Sequence, residues 1–120
     1  MHSPWTSTGG QENFSVDFKA QIIQAAAKKI IYSAHAVDEM NAENELITTA
    51  EVRHVIFHGE IIEDYPEDRR GHSCLIFGMP EDRRPVHVVC APKDDYLAII
   101  TAYIPTLDKW EPGYSKRRQK

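Results

Sequence analysis

Cysteine is scarce in this chain of 120 residues, with Cys74 and Cys90 as its whole complement. Two thiols without CxxC spacing make neither a disulfide-stapled scaffold nor a cysteine zinc site, so both read as reduced thiols in the core of a strand. Long apolar runs are missing as well. No stretch approaches the roughly 18 consecutive apolar residues of a membrane span, which removes a membrane from the expected partners. The N-terminus, Met1, His2, Ser3, Pro4 and Trp5, has neither the cationic start nor the apolar run of a secretory signal, and the expected location is the cytoplasm. Positive charge is not in excess either: the formal net charge is -4, which excludes nucleic-acid binding by overall charge alone. With 42% hydrophobic and 27% charged residues, the chain has material for one core and one domain.

The charges are unevenly spread. From residue 36 to residue 68 Arg53 stands alone among carboxylates, whereas the C-terminal half is basic and ends in Lys116, Arg117, Arg118 and Lys120. This separation fits a protein-facing acidic surface beside a phosphate-facing basic one, and it fits equally a solvated face with a frayed tail.

Residues 1–13 are polar and poor in apolar side chains, which predicts a flexible leader. The folded domain is expected over 14–114, followed by a basic tail at 115–120. Phe18, Ile22, Ile23, Ala26 and Ile30 recur at spacings of three and four, the period of a helix, with Ser15 or Asp17 available as its cap. A second short helix is expected from His35 and Ala36 through Met40 to Asn44. Thr48 to Glu51 has capping-box spacing and precedes Val52, Val55 and Ile56, predicting a third helix that stops at Gly59. Beyond it, 60–65, 73–77, 86–91 and 97–104 are rich in β-branched and aromatic residues and fenced by turn residues. Connectors this short favour antiparallel neighbours. The expected fold is α+β: two to three N-terminal helices packed on a four-stranded antiparallel sheet, with Trp110, Pro112 and Tyr114 covering part of the domain.

Among residues able to do chemistry, His87 lies inside a strand whose alternation places it opposite Val86 and Val88. Thr101 and Tyr103 share a face of the next strand, and Arg84 enters just before His87. Imidazole, phenol, hydroxyl and guanidinium together suit metal-independent RNA cleavage, which needs a base, an acid and a cation for the phosphorane. A buried histidine held by Tyr103 for structural reasons is the competing account. His35, with Asp38 and Glu39 three and four residues on, either supports such a site or pairs with a carboxylate. Arg69, in the first strand connection, can grip phosphate or neutralise its own acidic neighbours. His54 and His58 share a helix face as metal sites require, but no third ligand is offered nearby and His58 also suits a helix C-terminus. No metal or cofactor is indicated.

The ordered elements His35-Ala36 with Met40, Gly59-Glu60 through Ile62-Glu63-Asp64-Tyr65-Pro66, Ser73-Cys74-Leu75, Gly78, Arg84 to Val89, and Ile100 to Tyr103 with Pro105 and Trp110 resemble the domain-of-unknown-function 4258 family over about two-thirds of the chain. That resemblance implies a RelE-like or MqsR-like toxin fold of the barnase-like ribonuclease group, and an endoribonuclease toxin acting on single-stranded or ribosome-bound messenger RNA. It also implies a cognate antitoxin of zinc-finger and helix-turn-helix type, for which the acidic stretch from Asp38 to Asp68 is a candidate docking surface. The catalytic candidates are His87, Tyr103, Arg84 and His35, and the RNA-binding candidates are Arg69, Ser73, Thr101, Arg117 and Arg118. Where relatives carry arginines around the methionine, this chain has Glu39, Glu43 and Asn44, so its second helix brings no cations. A non-catalytic module that binds protein or RNA on the same scaffold is the alternative reading.

Overall fold

The computed structural model describes residues 16–42, 46–80 and 84–119. The expected leader at 1–13, the cap Ser15, the helix end at Asn44, Glu43 and Lys120 lie outside the described residues. Helix α1 (Val16–Lys28) buries Phe18, Ile22, Ala25 and Ala26. The three-and-four spacing carries on into Ile30, but the helix stops at Lys28 and Ile30 opens a strand, β1 (Ile30–Tyr32). Helix α2 (Ala34–Met40) starts at Ser33, whose hydroxyl accepts from the Ala36 amide at 2.9 Å. Helix α3 (Thr49–His58) carries the expected capping box, Thr48 bonding the Glu51 amide and the Glu51 carboxylate bonding the Thr48 amide.

Four strands follow: β2 (Glu60–Tyr65), β3 (Ser73–Gly78), β4 (Val86–Pro92) and β5 (Leu97–Tyr103). They form the expected antiparallel meander, but the sheet has five strands in the order β1-β5-β4-β3-β2, and β1 lies parallel to β5 with Ile30 opposite Leu97. The expectation of four antiparallel strands is corrected to a mixed sheet. The reason lies in three residues: Ile30, Ile31 and Tyr32 are two β-branched side chains and an aromatic, and they fit a pleated surface better than a fourth helical turn. Because α2, α3 and three strands lie between β1 and β5, the connection is long enough for β1 to pair in parallel with the final strand.

Helix α3 packs on β3 and β4, α1 on β4 and β5, and α2 on β5. The main core lies on this helical side and includes Ile22, Val52, Ile56, Ile76, Val88 and Ile99. The opposite face is covered by the segment after β5, where Trp110 packs against Leu75 and Val89, ringed by Tyr65, Ile100, Tyr103 and Tyr114. The basic C-terminus folds back: the Glu111 amide donates to the Lys116 carbonyl at 2.8 Å and the Arg118 amide to the Lys109 carbonyl at 2.9 Å. Gly113 at φ +96° and Tyr114 at φ 61° turn this hairpin in the left-handed region. Among the described residues, no helix is long and apolar enough to cross a membrane.

Candidate functional site

On the face beneath this C-terminal segment, His87 of β4 stands directly opposite Tyr103 of β5. The β4–β5 ladder contains one irregularity, between Val89 and Cys90, which lets Ile99 and Ile100 slip relative to β4. It falls before Thr101, so Thr101 and Tyr103 keep the face of Val89 and His87. His87 has no exposed surface and lies edge-on to Trp110, with ring centroids 4.4 Å apart, and to Phe77 at 5.7 Å. Both ring nitrogens are engaged, Nε2 at 2.8 Å from the Tyr114 carbonyl and Nδ1 at 3.2 Å from the Tyr103 hydroxyl.

A carbonyl oxygen only accepts, so Nε2 carries the proton. Burial pushes the His87 pKa down to about 4, against the opposing pull of the Tyr114 carbonyl and the Glu63 charge. The neutral ring leaves Nδ1 bare, and Tyr103 donates its hydroxyl proton to it. Burial raises the Tyr103 phenol to about 12, with Arg117 pulling down and Glu63 pushing up. The phenol oxygen therefore stays protonated, with its proton pointed at His87 and its lone pairs turned elsewhere.

Around this pair runs a charged girdle. Arg117 lays its guanidinium over Trp110, 4.7 Å from the ring centroid, and forks onto Glu63 at 2.7 and 3.0 Å. Tyr65 donates its hydroxyl to the same carboxylate. Burial pushes the Glu63 carboxyl up, but the Arg117 and Tyr65 hydrogen bonds outweigh it and hold it below its ordinary range. Glu63 reaches this face because the β2–β3 register shifts between Ile61 and Glu63, so that Ile61 pairs with Ile76 on the helical side while Glu63 pairs with Leu75 on the other. Simple alternation would have placed it with Ile61.

Between α2, the end of β5 and the C-terminal segment opens a cleft of about 440 Å³, lined by His35, Glu39, Thr101, Tyr103, Thr106, Lys109, Trp110 and Arg117 among others. Ser33 fixes its α2 wall by donating its hydroxyl to the Ile100 carbonyl at 2.9 Å and its amide to the Ile99 carbonyl at 3.0 Å. Four of the residues singled out in the sequence, His35, Thr101, Tyr103 and Arg117, thus share one cavity, and His87 sits behind Tyr103 without lining it.

The remaining candidates lie elsewhere. Arg84 turns to α3, reaching Glu51 at 2.9 and 3.2 Å and the Leu46 carbonyl at 3.1 Å. Ser73 is buried and donates to Asp68 at 2.6 Å, and Arg70 grips the same carboxylate. Arg69 is exposed on the β2–β3 turn, and Arg118 reaches the Leu107 carbonyl at 2.6 Å. Within the acidic stretch, Glu51, Glu63 and Asp68 are paired with Arg84, Arg117 and Arg70, and Asp64 meets His72 at 2.6 Å. That leaves a smaller acidic surface than the sequence count implies. Lys109 escaped the sequence reading, although its place beside Trp110, an aromatic that had to find cover, was the available signal. Among the described residues, no group of three or more His, Cys, Asp or Glu side chains is placed to hold a metal ion.

A family model for a domain of unknown function, DUF4258, matches residues 32–104. The chain belongs to the DUF4258 family. No curated protein and no solved structure matches it. The DUF4258 segment contains His35, His87, Thr101 and Tyr103, but α1 and the whole covering segment from Pro105 onward fall outside it. The cleft is therefore composite: its imidazole, hydroxyl and phenol belong to the DUF4258 segment, and its two cations, Lys109 and Arg117, come from the C-terminal extension.

Proposed function

We propose that the chain is an endoribonuclease of toxin type that cleaves messenger RNA without a metal ion, at the cleft between α2, β5 and the C-terminal segment. The observation that carries this reading is the convergence of the exposed His35 imidazole, the Tyr103 phenol, the Thr101 hydroxyl and the cations Lys109 and Arg117 on one cavity. Cleavage by the ribose itself calls for such a set. A base takes the proton of the 2′-hydroxyl as its oxygen attacks phosphorus, an acid protonates the departing 5′-oxygen, and cations balance the phosphorane. In these roles His35 moves the protons, Lys109 and Arg117 face the phosphate, and Tyr103 and Thr101 hold the ribose. His87 is a positioning residue, since it accepts the hydrogen bond of the Tyr103 hydroxyl and leaves the phenol oxygen as an acceptor toward the cleft. An acceptor there suits the 2′-hydroxyl of a neighbouring nucleotide rather than the attacking one, and the 2′-hydroxyl is the group that separates RNA from DNA. The RelE-like and MqsR-like relationship implied by the resemblance to the DUF4258 family supports the same reading, and with it a basic antitoxin that would meet carboxylates left exposed, Asp38 and Glu60 among them.

A second reading, RNA or protein binding without cleavage, draws on a specific observation: Arg84 and Arg117 already hold Glu51 and Glu63, which lowers the charge available to a phosphorane. The test is incubation of the full chain with a long unstructured RNA in EDTA, comparing the wild type with His35→Ala, Lys109→Ala and Tyr103→Phe. Cleavage to 2′,3′-cyclic phosphate ends, reduced about 100-fold or more in folded His35→Ala, supports the nuclease. RNA retention without cleavage moves the assignment to the binding module. If the chain neither cuts nor retains RNA, the cleft is not an RNA site.

A further inference from the structure

Two imidazoles take no part in the cleft. His54 and His58 stand one turn apart on the solvent side of α3, both exposed, with ring centroids 4.8 Å apart and planes tilted by 39°. Their separation can be compared with what a shared ion would require. A zinc-bound imidazole nitrogen lies about 2.0–2.1 Å from the metal, which puts each ring centre about 3.2 Å away, and two rings at 90–110° are then about 4.5–5.2 Å apart. The observed spacing falls inside that interval, so the two rings already stand as far apart as a shared ion requires.

The surroundings allow it. The depression around the pair has a volume of about 470 Å³ and is also lined by Ala50, Arg53 and Phe57. Ala50, one turn before His54, leaves room for an ion with its water ligands. Arg53 directs its guanidinium onto the Phe57 ring, 4.8 Å from the centroid. Among the described residues no third His, Cys, Asp or Glu joins the pair, so the other coordination positions remain open. Two neutral imidazoles with open positions select late first-row divalent ions such as zinc over magnesium or calcium, which prefer oxygen.

We propose that His54 and His58 form a two-imidazole clamp for zinc or a similar late first-row divalent cation on the outer face of α3, with its remaining positions open to water or an exchangeable ligand. The clamp exists only while residues 54 and 58 are helical, so the ion and the fold are linked. Since α3 buries Val52, Val55 and Ile56 in the main core, loading the clamp raises the stability of the whole domain. The site lies on a different helix from the cleft and does not depend on the nuclease reading.

The full chain, stripped with EDTA and dialysed, is titrated with zinc chloride by calorimetry, and its thermal midpoint is read with and without zinc in excess. His54→Gln and His58→Gln serve as comparisons, both at exposed positions where glutamine keeps the helix. The expected result is one zinc per chain, a raised midpoint, and a loss of about tenfold or more in affinity in each variant. Zinc binding that is unchanged in either variant, no heat of binding, or a midpoint shift as large in either variant as in the wild type overturns the assignment.

Discussion

His87 and Tyr103 face one another across β4 and β5 with the imidazole Nδ1 3.2 Å from the phenol oxygen, while Nε2 is tied to the Tyr114 carbonyl at 2.8 Å. One buried ring thereby connects the end of the sheet to the segment that covers it. Its tautomer decides what the phenol can offer a ligand.

Tyr103→Phe keeps the ring and removes the acceptor. If the phenol oxygen meets a ribose hydroxyl, affinity for a ribo-oligonucleotide should fall by about 1 kcal/mol, roughly fivefold, while affinity for the matching deoxy-oligonucleotide stays put. Fluorescence anisotropy with both oligonucleotides checks this. Equal losses on both would remove the hydroxyl contact from the proposed mechanism.

Stability should depend on pH in a window set by His87. The folded ring titrates near pH 4 and the unfolded one near 6.5, so between these values the unfolded chain binds the extra proton and stability falls as the pH falls. The whole loss is on the order of 3 kcal/mol. Glu51 and Glu63, both held below the ordinary carboxylate range, add their own losses at more acid pH. Urea midpoints taken from pH 7 down to about 5 should therefore decline in the wild type and flatten in His87→Gln.

Gly59→Ala should be costly although Gly59 has an ordinary extended backbone with φ -85°. A β-carbon there would stand 2.5 Å from the Phe77 carbonyl oxygen and 2.6 Å from that of Val55. Both obstacles are backbone and cannot swing aside, so the expected loss is about 2–3 kcal/mol. Denaturant unfolding measures it directly, and a change within error would mean that the α3–β2 junction relaxes freely.

Much of this arrangement was legible in the sequence because local chemistry set it. The Thr48 to Glu51 capping box, the stop at Gly59 and the four meander strands each follow from a handful of adjacent residues. What was hidden depended on distant partners. Ile30 continues a helical period and becomes a strand only because β5 is there to receive it. The irregularity between Ile61 and Glu63 has no local signature, yet it brings Glu63 to Arg117. In the candidate site, the strand alternation that aligned Thr101 with Tyr103 was readable. The turn of Arg84 toward Glu51, and the arrival of Lys109 and Arg117 at the cleft, came from tertiary packing.

The two thiols provide a local reporter of opening. Cys74 and Cys90 are paired across β3 and β4 and both are fully buried. The hydrogen bond from Cys74, followed by burial, raises the Cys90 thiol well above its ordinary value. Neither should react with a thiol reagent in the native state, and the two should be modified together as the central strands open. Rapid labelling of one thiol alone would show that β3 and β4 separate without global unfolding.

The parallel pairing of β1 with β5 also orders events during synthesis. Ile30 must wait for Leu97 to be made before it has a neighbour, so the edge of the sheet stays incomplete on the ribosome until β5 has been translated. The covering segment emerges later still, and Trp110 with it. A nascent chain halted before residue 97 would expose β1 as an unpaired apolar strand, and one halted before residue 110 would leave His87 uncovered. The segment that follows β5 is therefore the one that closes this face of the domain.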